Sequence, residues 1–159
     1  MRTPVIEKIV INVGLGRLSQ MPNFSDKVLP AIILDVSRIA GQKPKPTTAK
    51  KSIAGFKLRE GATIGLAATL RGKRANDFVS RLVTTAMPRV KDFRGIDLGN
   101  IDSAGNLNLG IREHLVFPEI NAEQTPTNFG LQITFVVRGV NSRNEAIDFY
   151  RSIGLPLKK

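Results

Sequence analysis

One imidazole, His114, stands in a chain of 159 residues that has no cysteine at all. Nucleophilic or metal chemistry at a histidine needs a thiol, a hydroxyl with a base, or a second ligand at hand, and neither a thiol nor another imidazole exists to serve. His114 follows Arg112 and Glu113 in a predicted strand, where a structural or RNA-contacting role suits it better than catalysis. The carboxylates are no better arranged. Asp97 with Asp102, and Glu113 with Glu119, form no recognisable acid-base pair, and solvated turns account for them. Gly14 and Gly16 make a Gly-x-Gly after a predicted strand, but the third glycine of a dinucleotide loop is missing and no acidic residue closes a second strand about 20 residues on. The sequence therefore predicts a protein that is not an enzyme, with no cofactor and no metal.

The chemistry that remains is electrostatic. Lys plus Arg number 24 against 13 Asp plus Glu, a net charge of +11 that calls for a polyanionic partner. A membrane surface would be met by a basic amphipathic helix or a lipid anchor, and the sequence suggests neither. No apolar run approaches the roughly 18 residues of a spanning helix, and Met1-Arg2-Thr3-Pro4 lacks the apolar block of a signal peptide. A soluble cytoplasmic protein without a membrane partner is expected, and the lack of cysteine fits a reducing compartment. Lys8, Asn12, Thr69 and Arg71 fall on the polar sides of predicted strands, which is the mixture of charge and hydrogen-bonding groups that an RNA-contacting sheet needs. Aromatics make up 6% of the chain, and Phe56 alone is placed for base stacking, so shape and backbone recognition of folded RNA fits better than single-strand readout.

These residues need elements to hold them. Alternation from Val5 to Val13 predicts a strand, with Val5, Glu7, Ile9, Ile11 and Val13 on one side and Ile6, Lys8, Val10 and Asn12 on the other. Ser25 or Asn23 can cap a helix to about Ala40, with Gly41 as its stop. Prolines 44 and 46 confine a short following strand to a sheet edge or a strand start. The stretch 52–61 is too long for a tight turn and reads as an extended basic loop tipped by Phe56. A strand over 64–71 precedes a helix over 73–87 that Pro88 ends. The basic segment Arg89 to Arg94 follows, then strands at Leu107 to Ile111 and Leu131 to Arg138, with an edge or strand end over 115–120 demoted by Pro118. Ser142-Arg143-Asn144-Glu145 is a capping box opening a last helix. Together these predict one α+β domain over residues 1–159, an antiparallel sheet with helices packed on one face and the other face open for RNA.

The segments Ile9-Val10-Ile11-Asn12-Val13-Gly14, Gly41-Gln42-Lys43-Pro44, Lys51-Ser52-Ile53-Ala54-Gly55-Phe56-Lys57, Thr69-Leu70-Arg71-Gly72, Pro88-Arg89-Val90-Lys91-Asp92-Phe93-Arg94-Gly95 and Phe117-Pro118-Glu119-Ile120 carry a resemblance in their order and spacing. The chain resembles the bacterial large-subunit ribosomal protein five family over nearly its whole length. That resemblance implies 5S rRNA as partner in the central protuberance of the large subunit, alongside 23S rRNA and neighbouring subunit proteins. It implies Asn12, Gln42 and Thr69 as hydrogen-bonding contacts, supported by Lys8, Lys43 and Arg71. It also implies that Ser52, Ile53, Ala54, Gly55, Phe56, Lys57 and Arg59 reach the P-site tRNA, and that a small-subunit protein is met on the 88–111 side. Members of the family usually carry a helix before the first strand, whereas this chain begins almost at that strand, and its 18–25 connection looks a few residues longer.

Overall fold

The computed structural model describes residues 3–18, 24–48, 63–91, 93–123 and 127–158. Five strands, β1 (Val5–Gly14), β2 (Lys45–Thr48), β3 (Thr63–Leu70), β4 (Leu107–Ile111) and β5 (Leu131–Arg138), form one sheet in the order β2-β3-β1-β5-β4. Every neighbouring pair is antiparallel. Three helices accompany it, α1 (Leu29–Ala40), α2 (Lys73–Arg81) and α3 (Arg143–Ser152).

Period-two alternation decides which face goes inward. Ile9, Ile11 and Val13 of β1, Leu66, Ala68 and Leu70 of β3, Leu107, Leu109 and Ile111 of β4, and Leu131, Ile133, Phe135 and Val137 of β5 are all buried. The helices supply the opposite wall: Ile32, Val36 and Ile39 from α1, Phe78 and Val79 from α2, and Ala146, Ile147 and Tyr150 from α3. Each such side chain contributes about 1.5–3 kcal/mol by leaving water. A one-residue slip of any strand would exchange its two sides, so this burial also fixes which residues the other face displays.

Helix boundaries follow local chemistry with two departures. The first helix opens as a π-type turn, Phe24–Val28, and α1 proper begins at Leu29 after Val28, with Pro30 in its first turn and no side-chain cap. Ser25 thus lies inside the opening turn rather than at a cap, and Asn23 falls outside the described residues. Gly41 ends α1 as expected, in a left-handed conformation (φ 78°) with its N–H donating to the Ser37 carbonyl at 2.8 Å. The second helix is α-helical only to Arg81 and then widens over Leu82–Ala86. Pro88, lacking an N–H, sits in the short 3-10 turn Met87–Arg89 that closes it.

The 115–120 stretch is not a strand, nor is His114 in one. His114–Val116 is a 3-10 turn, and the chain folds back again where the Ile120 N–H donates to Phe117 O at 3.1 Å. The ladder between β4 and β5 ends at the Ile111 and Leu131 pair, and beyond it the His114 N–H donates to Phe129 O at 2.9 Å. At α3 Ser142 caps the helix, its Oγ accepting from Glu145 N–H at 3.2 Å, while Glu145 Oε2 reaches back one residue beyond the cap to Asn141 N–H at 3.1 Å. The 18–25 connection is described only at its ends.

Candidate nucleic-acid interface

The sheet's second face displays rows of polar side chains set by strand register. Asn12 lies opposite Ala67 on β3 and opposite Gln132 on β5. Lys45 pairs with Ala67, and Gly110 pairs with Gln132. A single row therefore crosses all five strands as Lys45, Ala67, Asn12, Gln132 and Gly110. The next row runs Thr69, Val10, Thr134 and Asn108. Lys8 stands beyond it opposite Val136, after a register shift that follows Ile6. Asn12, Lys45, Thr69 and Gln132 are exposed.

Sequence reasoning singled out Lys8, Asn12, Thr69 and Arg71, and the structure brings them to this face and its margin. Arg71 is exposed directly after β3. Gln42 arrives from a different part of the chain: the left-handed Gly41 turns the backbone out of α1, and Gln42 Nε2 donates to the Thr69 carbonyl at 2.9 Å. Its Oε1 accepts from Arg74 at 3.0 Å. Lys43 follows, exposed, before the buried Pro44 and the edge strand β2. Ser52, Ile53, Ala54, Gly55, Phe56, Lys57 and Arg59 lie outside the described residues.

The β5 and β4 half of the face was missed as part of the same surface. Gln132, Thr134 and Asn108 form a small network there, with Thr134 Oγ1 donating to Asn108 Oδ1 at 2.8 Å and Gln132 Nε2 to the same oxygen at 3.5 Å. The alternation along β5 marked Gln132 and Thr134 as polar, but only the pairing of β5 with β1 joins them to Asn12. At one end of the strands the face dips into a shallow depression of about 610 Å³, lined by Asn12, Gly14, Thr47, Gly110, Arg112 and Gln132 among others.

Electrostatics favours an anion over this surface. Lys43, Lys45, Arg71, Lys73, Arg74, Arg112 and Arg138 are exposed on or around it. Lys73 opens the first turn of α2, which holds no acidic residue, so its charge meets the positive helix end unfavourably until an anion offsets it.

The remaining titratable groups have structural work. His114 is fully buried, which removes any contact with RNA, and its ring stacks on Phe129 with centroids 3.8 Å apart. Asp97 Oδ1 accepts from Gly99 N–H at 3.3 Å, Asp102 Oδ1 from Ala104 and Asn106 N–H at 3.0 and 2.9 Å, and Glu119 pairs with Arg81 at 3.1 Å. Among the described residues no group of three metal-ligating side chains converges, and no helix is long and apolar enough to cross a membrane.

Comparison with known proteins gives one consistent answer. The family profile of ribosomal protein L5 matches residues 1–59, and that of the ribosomal L5 family C-terminus matches residues 63–157. The large ribosomal subunit protein uL5 of Heliobacterium modesticaldum is 48% identical over 158 residues, covering 99% of this chain and 85% of that protein. The protein of the same name from Halothermothrix orenii is 42% identical over 159 residues, covering 100% of this chain and 86% of its own. That of Leptospira biflexa is 43% identical over 158 residues, covering 99% and 84%.

Proposed function

The chain belongs to the ribosomal protein L5 family, and on that premise we propose that the open face of its sheet docks on folded 5S rRNA. Membership makes it a structural constituent of the large ribosomal subunit, associated with ribosomal RNA and ribosomal proteins, and not an enzyme. The observation that carries the finer reading is the juxtaposition of Asn12 and Thr69 on one sheet face with Gln42 bonded at its margin, and Lys8, Lys43 and Arg71 beside them.

On this reading binding has two stages. The net charge of +11 draws in phosphate and supplies affinity that does not depend on sequence. The amides and hydroxyl then form hydrogen bonds to backbone and base edges, and the packed sheet holds them in place, so little conformational entropy is lost on docking. Residues 52–61 extend the reading to the P-site tRNA. Residues 88–111 extend it to a small-subunit protein, with Arg89, Lys91 and Arg94 exposed along that side.

The test is a titration against 5S rRNA and a size-matched unrelated RNA from about 50 to 200 mM salt, where binding by phosphate contact alone weakens steeply for every sequence alike. Persistent preference for 5S rRNA supports specific recognition, and convergence of the two curves leaves a general polyanion binder. The Asn12→Ala, Thr69→Ala double variant should lose the preference while keeping its melting temperature. If it binds like the parent, this face is not the docking surface.

A further inference from the structure

Three segments far apart in sequence meet at one side-chain amide. Gln42 belongs to the connection between α1 and β2, Thr69 is the penultimate residue of β3, and Arg74 is the second residue of α2. Gln42 Nε2 donates to Thr69 O at 2.9 Å, and Gln42 Oε1 accepts from Arg74 Nη1 at 3.0 Å.

The chemistry of these partners allows the amide one orientation. A guanidinium only donates, so it must face the amide oxygen, and a backbone carbonyl only accepts, so it must face the amide nitrogen. Flipping the amide would set donor against donor and acceptor against acceptor. An amide nitrogen carries two hydrogens, and the Thr69 carbonyl takes one. The second is left to donate at Gln42, a half-buried residue next to the exposed Thr69. The position therefore offers an N–H, suited to a phosphate oxygen, a ribose hydroxyl or a base carbonyl. Without Arg74 the amide oxygen loses its fixed partner, and the side chain regains rotamer freedom that RNA binding must then remove.

We propose that Arg74 is a positioning residue for RNA recognition, acting through Gln42 and not by gripping a phosphate itself. The proposal rests on the reading of Gln42 as a contact to 5S rRNA. Arg74 sits on the surface, so its removal leaves the core untouched.

The experiment is a double-mutant cycle in the full chain: parent, Gln42→Ala, Arg74→Ala and the double variant, each titrated with 5S rRNA at several salt concentrations, with thermal melts as folding controls. Gln42→Ala should weaken binding about tenfold, the scale of one hydrogen bond to a charged group. Arg74→Ala should weaken it by about as much, and the double variant should bind no worse than Gln42→Ala alone. The slope of log affinity against log salt should match the parent's in Arg74→Ala. Additive losses with a slope shallower by about one phosphate contact would make Arg74 a direct ligand and overturn the proposal. An Arg74→Ala variant that binds like the parent overturns it as well. Parent-like binding by Gln42→Ala removes Gln42 from the interface, and the proposal falls with that earlier reading.

Discussion

The His114 ring is held under α1 with its Nε2 3.3 Å from Asp35 Oδ2, and both residues are buried. His114 Nδ1 accepts from the Phe129 N–H at 3.3 Å, which ties the start of β5 to the turn after β4. The pair thus links α1 to the far edge of the sheet, across the core from the sheet's open face. Removing one member leaves the other buried beside an apolar gap, a cost of about 1–3 kcal/mol. Asp35→Ala and His114→Ala should each lower stability by that order in urea unfolding, and the double variant by less than the sum. Additive losses would show that the two residues do not act as a pair.

Tyr150 is the chain's one tyrosine, and there is no tryptophan, so ultraviolet titration reports this phenol alone. Burial first, and then the negative charge of Asp102, push its pKa well above the ordinary value of 10.0. The hydroxyl donates to Gly105 O at 2.6 Å. A raised folded pKa means that this stabilisation is fully present below about pH 10 and is lost as pH climbs above it, because the unfolded chain ionises first. Tyrosinate absorbance should appear together with unfolding and not before. Ionisation near pH 10 in a still-folded protein would contradict the burial. Tyr150→Phe should cost about 1–3 kcal/mol at neutral pH by stranding the Gly105 carbonyl, and should remove this source of alkaline sensitivity.

Strands β2 and β3 are paired as far as Thr48 and Thr63, so a short turn can replace the intervening residues without disturbing the ladder. On the proposed reading, cutting residues 52–61 out in this way leaves 5S rRNA affinity unchanged and impairs translation steps that depend on P-site tRNA. Equal translation rates with and without the loop would take that role away from it.

Local signals and long-range pairing account for what the sequence did and did not reveal. Strand β5 was legible to its ends because Leu131, Ile133, Phe135 and Val137 alternate with polar or half-exposed neighbours, and α3 was legible from Ser142 and Glu145. The polar side of β1 identified Asn12, but nothing local says that Lys45 and Gln132 share its row, because register is fixed by packing between strands distant in the chain. Gln42 was named through family resemblance. Its anchorage to Thr69 and Arg74 depends on three segments meeting, which no periodicity encodes. The 115–120 stretch misled because its apolar residues are buried by folded-back turns rather than by a ladder.

Gly110 ends the polar row on β4, where glycine is a poor strand former, about 0.5–1 kcal/mol worse than alanine. Nothing among the described residues demands it. A Cβ built there meets no atom within 4 Å, whereas one at Gly65 would lie 2.8 Å from Thr47 Oγ1 and 2.9 Å from Val13 O. Gly65 is explained by its own neighbours, and on the proposed reading Gly110 lets RNA lie close against the sheet. The depression it lines with Asn12, Gln132 and Arg112 leaves room for a nucleic-acid backbone to approach. Gly110→Val should therefore keep or raise the melting temperature while weakening 5S rRNA binding several-fold, in contrast to a core substitution that lowers both. Unchanged affinity in a fully folded Gly110→Val protein would confine the interface to the β2, β3 and β1 half of the sheet.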